Sequence, residues 1–161
     1  TLDPLPGVAL GPGSARTIDD LGPATHERRF ELAGRHINGR SMDPGSIDFA
    51  VTIDTTEDWT VRNTDGNPHT FHVHDTQFHV VSVDGRPPPP QLTGPKDTIS
   101  IPAGDEVVLR IRFTDHSDPD NPYMLHCHLL DHEDAGMMQQ FIVIEAGQQP
   151  GTPPHHHDAT G

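Results

Sequence analysis

The sequence predicts an all-β domain, an antiparallel sandwich or barrel of about eight short strands. Two observations carry this. The composition is turn-rich, with 15 Gly and 17 Pro against 32% hydrophobic residues and 5% aromatics, which leaves little material for long amphipathic helices. Branched and aromatic residues also fall into short runs punctuated by Gly, Pro, Asn and Asp. At 161 residues the chain has room for one domain with a sizeable core and some tail, and not for two ordinary domains.

Taken in order, residues 1–25 hold Pro4, Pro6, the run Gly11-Pro12-Gly13-Ser14 and Gly22-Pro23, with too few apolar anchors to fold alone. They read as a linker from an upstream domain. Residues 26–146 form the expected domain, with strand-like runs at 30–32, 47–53, 59–61, 71–74, 78–83, 98–101, 107–113, 123–126 and 140–144. The segment Asp84-Gly85-Arg86-Pro87-Pro88-Pro89-Pro90 predicts a turn running into polyproline, and Ala103-Gly104-Asp105 a second turn. Residues 129–134 suit one short helical turn. No internal repeat is visible. Residues 147–161 are expected to be a disordered tail, within which His155-His156-His157 could take up metal adventitiously.

Ten Lys and Arg face 24 Asp and Glu, a formal net charge of -14. Such a surface repels nucleic acid and anionic membranes and favours cations or neutral reductants. No apolar run is long enough to span a bilayer, and the first residues carry neither the basic nor the apolar region of a secretion signal. The single cysteine, Cys127, has no partner in the chain for a disulfide.

Function is most legible in the histidines. Of the 13, His26, His36, His79 and His116 read as surface or satisfied core residues. The rest outside the tail cluster in His69-Thr70-Phe71-His72-Val73-His74 and in His126-Cys127-His128 followed by His132 and Met137. Successive side chains of an extended strand point to opposite faces, so Cys127 projects away from the face shared by His126 and His128. By the same parity His72 and His74 share one face and His69 takes the other. One set is then His69, Cys127, His132 and Met137: two imidazoles, a thiolate and a thioether, the donors of a blue-copper electron-transfer centre. The other is His72, His74, His126 and His128, imidazole alone, a donor set suited to copper and oxygen chemistry. Zinc is the competing metal, but it seldom takes a thioether. Met138 adjoins Met137, and alternation alone leaves open which of the two faces the metal.

The run from His126 to Met138 resembles the fourth copper-binding motif of the multicopper oxidases, in the form of the bacterial cuprous oxidases, spore-coat laccases and bilirubin oxidases. Residues 69–74 are similar to that family's third motif, and Gly94-Pro95-Lys96-Asp97-Thr98 to its Gly-x-Lys-Asp-Thr segment. The likeness runs from about residue 28 to residue 144. It implies a cupredoxin-like Greek-key β-sandwich or barrel, the C-terminal domain of such an enzyme, and copper as cofactor. By position, the resemblance gives His69, Cys127, His132 and Met137 to the type 1 copper, His72 to the type 2 copper, and His74, His126 and His128 to the type 3 pair. Cys127 carries the electron-entry role. Glu133 resembles the carboxylate that supplies protons during oxygen reduction, although an acid in this loop also reads as merely solvated. A secreted or periplasmic location is implied as well.

Two departures stand out. Thr70 and Asp75 replace the Pro and Gly that usually flank the third motif. The family's trinuclear site also needs four further histidines, on two His-x-His motifs that this chain lacks outside its tail. The resemblance therefore implies half a cluster, completed by an upstream domain of the same or another chain. A small-molecule or metal-ion reductant would feed electrons singly to the Cys127 centre, and four of them would reduce O2 to water across His126 and His128. Phenols, bilirubin-like pigments and cuprous or manganous ions all fit as reductants, and four methionines in all argue against a methionine-rich insertion. Two alternatives are a stand-alone blue-copper electron carrier and an isologous homodimer that builds the cluster from two copies.

Overall fold

The computed structural model describes residues 17–151. Two five-stranded sheets face each other. The first has the order β2 (His36–Ile37), β1 (His26–Ala33), β4 (Thr56–Asn63), β8 (Glu106–Arg112) and β6 (Phe78–Val83). The second runs β3 (Phe49–Thr52), β10 (Met138–Ile144), β9 (Asp118–His126), β5 (His69–Val73) and β7 (Thr98–Ile101). Sequence neighbours are repeatedly separated in space, which makes the connections of Greek-key type. No helix among the described residues is long and apolar enough to cross a membrane.

Alternation builds the interior. In β8, Val107, Leu109 and Ile111 are buried while Glu106, Val108, Arg110 and Arg112 face outward. An aromatic cluster bridges the sheets: Phe30, Trp59, Phe71, Phe113 and Phe141 are nearly or wholly buried, and Phe49 stacks on Phe141 at 5.4 Å. The inner strand β10, between β3 and β9, is covered on both faces. Its Gln140 amide donates to the carbonyls of Asp43 and Ser46 at 3.1 Å each, which lays residues 43–48 over it.

The expected sandwich is present, with corrections. There are ten strands among the described residues against about eight expected: each of the nine strand-like runs holds one, and the two-residue β2 adds another. The sheets are not purely antiparallel: β1 pairs with β4 in parallel, and β3 with β10. Hydrophobic alternation is identical for both strand directions, so only the chain's crossovers decide this. The expected turn at residues 84–85 leads into extended prolines, Pro89 at φ -67° and ψ 158°, and a 3-10 helix, Pro90–Leu92, closes the run. Within the segment read as a linker, Ile18–Leu21 forms a 3-10 helix whose Leu21 is buried and whose carbonyl accepts from the Thr56 hydroxyl at 2.5 Å. At the other end the Gly151 N–H donates to the Pro119 carbonyl at 2.8 Å. The remaining parts of both terminal segments, including His155-His156-His157, lie outside the described residues. His26, His36 and His116 are exposed, and His79 is buried.

Candidate metal centre

Strands β5 and β9 lie side by side with His72 opposite His126 and Val73 opposite Leu125. Past the end of β9 the chain stays anchored. The Cys127 N–H donates to the Met137 carbonyl at 3.0 Å, and the His128 N–H donates to the Thr70 carbonyl at 3.3 Å and to its hydroxyl at 2.8 Å. One turn of helix, α1 (Leu130–Glu133), follows. Gly136 then takes a φ of 81°, which favours glycine, and turns the chain into β10 so that Met137 points into the interior, fully buried. Met138 is only partly buried.

The parity argument holds in space. The Cys127 sulfur lies 3.6 Å from Nδ1 of His69 and 3.5 Å from Nδ1 of His132, and these two nitrogens are 3.2 Å apart. Their ligand atoms form one compact group, fully buried at His69 and Cys127 and partly open at His132. On the other side, ligand nitrogens of His72, His74 and His126 gather within 4.8 Å of one another. The His128 ring joins them at 5.4 Å from that of His72 and 5.3 Å from that of His126, its side chain 57% exposed. His74 sits one residue beyond β5, its N–H bonded to the Met124 carbonyl.

Hydrogen bonds fix which nitrogens are free. Nδ1 of His72 lies 2.9 Å from the Asp97 carbonyl and Nδ1 of His126 lies 3.2 Å from the Cys127 carbonyl, so each donates there and keeps a lone pair on Nε2. Nε2 of His126 in turn lies 3.2 Å from Nε2 of His74. Two such nitrogens face to face repel unless a proton or a cation lies between them. Burial is the main cause that pulls the His74 and His126 imidazoles below their ordinary pKa, and neighbouring histidines add to it. Both are therefore neutral near pH 7, the form that binds metal. A cysteine sulfur with two imidazoles fits a soft metal, and the all-imidazole group fits copper as well.

Glu133, at the end of α1, places Oε2 3.6 Å from Nδ1 of His126 and 3.9 Å from Nδ1 of His128, with 36% of its side chain exposed. The acid thus lies at the imidazole group, with a side open to solvent.

Three contributions escaped the reading of the sequence. Asp65, in an Asp-Gly turn that signals only a turn, brings Oδ2 within 3.2 Å of Nε2 of His69 and also accepts the Gly34 N–H at 2.9 Å. Those hydrogen bonds, from Gly66, Gly34 and His69, hold its carboxyl below the usual range. Asn63, fully buried, supports that turn: its amide donates to the carbonyls of Asn67, Ile101 and Pro102, and its oxygen accepts the Asp65 N–H. Thr70, noted only as a departure, brings its hydroxyl within 3.8 Å of the Cys127 sulfur. A spacing of four residues back from His69 was the only available signal for Asp65.

The sequence profile of the multicopper oxidase family matches residues 16–147. A multicopper oxidase of Staphylococcus aureus is 41% identical over 127 residues, 74% of this chain and 28% of that protein. A laccase of Haloferax volcanii is 31% identical over 138 residues, 84% of this chain and 23% of the relative. Among solved structures, the McoA multicopper oxidase of Aquifex aeolicus superposes with a TM-score of 0.70 at 25% identity, covering 81% of this chain and 32% of that one. The chain thus spans about a quarter of the length of the curated relatives it matches.

Proposed function

Because the chain belongs to the multicopper oxidase family, we propose that it is the copper domain in which a longer oxidase, or an assembly, takes up electrons and forms half of its oxygen-reducing cluster. One observation carries the reading. A single extended segment offers Cys127 to one donor group and His126 and His128 to the other. His69, Cys127, His132 and Met137 would hold the type 1 copper, His72 the type 2 copper, and His74, His126 and His128 the type 3 pair. Copper held there would supply one-electron acceptance on the thiolate side and reduction of O2 to water on the imidazole side.

The chain's own part is positioning. Cys127 is covalently continuous with both neighbouring imidazoles, so the path between the two groups is short. Burial of Cys127 and Met137 keeps water from the sulfur donors. Asp65, Asp97 and Thr98 orient the rings of His69 and His72. Glu133 can take a proton from solvent at Oε2 and release it at the imidazole group. An upstream domain would bring two His-x-His motifs, a small-molecule or metal-ion reductant would meet the partly open His132 side, and the location would be outside the cytoplasm. A stand-alone carrier of single electrons leaves the four gathered imidazoles without a use.

The test is copper loading of the full chain with metal counting, visible absorption and solution mass. The expected result is an intense thiolate-to-copper band that Cys127→Ser abolishes. A colourless copper-loaded chain whose thiol still reacts with alkylating reagents would overturn the reading. More than one copper per chain in a dimer would mean that two copies complete the cluster.

A further inference from the structure

We propose that the cleft between the edges of the two sheets, whose lining includes none of the metal-centre donors, is a binding site for a small carboxylate with an apolar body. The cavity, about 380 Å³, is lined by Arg28 and Arg29 of β1, Arg40 after β2, Asp48 and Phe49 at β3, and Gln139 of β10. A cavity of this size is of the order that accepts small ligands.

Charge is the first argument. The chain has only 10 Lys and Arg against 24 acidic residues, yet three of its arginines surround one cavity. Arg28 is already paired: its Nε and Nη2 donate to the Glu57 carboxylate at 2.5 and 2.9 Å. Arg29 and Arg40 are exposed and have no carboxylate partner among the described residues. Asp48 offsets one of the two, but its Oδ2 already accepts the Gln140 N–H at 2.9 Å. Guanidinium groups held around a common cleft repel, and an oxyanion between them relieves that repulsion while accepting paired N–H donors.

Gln139 is the second argument, independent of charge. It is 95% buried, being 5% exposed, and its side-chain amide makes no hydrogen bond to the described residues although it lines the cleft. Its amide reaches the solvent of the cleft, where it is free to donate to a bound carboxylate oxygen. Phe49 selects the ligand's body: its ring, half-buried, forms an apolar wall beside these donors, with the Arg28 guanidinium 4.4 Å from its centroid. Donors for a carboxylate on one side and an aromatic wall on the other suit an aryl carboxylate better than a bare anion.

The experiment is calorimetric titration of the full chain with sodium benzoate, acetate and inorganic phosphate, at fixed ionic strength and with a chelator present. The expected result is saturable binding of benzoate, roughly tenfold or more tighter than acetate or phosphate. Arg40→Gln and Gln139→Leu should each weaken it about tenfold, whereas Arg62→Gln, paired with Glu106 outside the cleft, leaves it unchanged. No saturable benzoate binding, equal binding of all three anions, or unchanged affinity in both cleft variants overturns the proposal. Circular dichroism of each variant separates loss of the site from loss of the fold.

Discussion

Replacing Arg28 by Met should destabilise the chain by about 3–5 kcal/mol, because it strands a buried charge. Glu57 is 1% exposed, and its carboxylate accepts from Arg28 Nε at 2.5 Å, Arg28 Nη2 at 2.9 Å and Trp59 Nε1 at 2.7 Å. Arg28 also reaches across to the other sheet, donating to the Ala50 carbonyl at 2.6 Å. In Arg28→Met only the Trp59 donor is left for the carboxylate. Glu57→Leu is milder: the guanidinium, 24% exposed, can turn to water, and the main loss is the orphaned Trp59 N–H, about 1–3 kcal/mol. Combining the two removes both charges and should recover much of the Arg28→Met loss, leaving about 1–2 kcal/mol. The assay is urea denaturation of the three variants beside the parent. At an m-value of about 2 kcal/mol per molar, Arg28→Met lowers the midpoint by about 2 M and the double variant by less than about 1 M. An Arg28→Met cost below about 1 kcal/mol, or a double variant as unstable as the sum of its parts, would refute the reasoning.

Three further outcomes follow from the site and its surroundings. Asp65→Ala should weaken copper binding at the thiolate group about 10–100-fold in a chelator competition, since His69 loses the partner that fixes its ring; unchanged affinity sinks the role. Thr70→Val removes the hydroxyl beside the Cys127 sulfur, so the thiolate donates more strongly and the copper reduction potential should fall in voltammetry; a potential that stays or rises argues against this hydrogen bond. The carboxyl of Asp118, held below the ordinary range first by the Asn121 amide and next by the Asp120 N–H, should titrate upward in Asn121→Ala when followed by NMR. A depressed acid stabilises the fold above its unfolded pKa and loses that contribution as pH falls through the folded value. The variant should therefore show a smaller loss of stability on acidification than the parent, and an identical acid profile would contradict the sign.

Much of the site was legible before any coordinates, because its logic is local. Cys127 must face away from His126 and His128 in any extended segment, and the same two-residue period separates His69 from His72 and His74. The kinds of donor then followed from the residues themselves. Strand runs such as 78–83 and 98–101 were read at their observed limits, since each is an apolar run closed by turn residues. Strand direction was not legible, because β1 and β3 keep the same alternation whether their neighbours run parallel or antiparallel.

By itself, then, the sequence determined the donor chemistry and its division between two faces, both consequences of backbone geometry over a few residues. Only the tertiary structure decided which distant groups meet. It set Nδ1 of His69 and His132 3.2 Å apart across 63 positions of chain, placed Asp65 behind His69, and brought arginines of β1 to the unpartnered amide of Gln139. Those separations come from how the aromatic core of Phe30, Trp59, Phe71 and Phe141 spaces the two sheets, a packing result that no local period encodes.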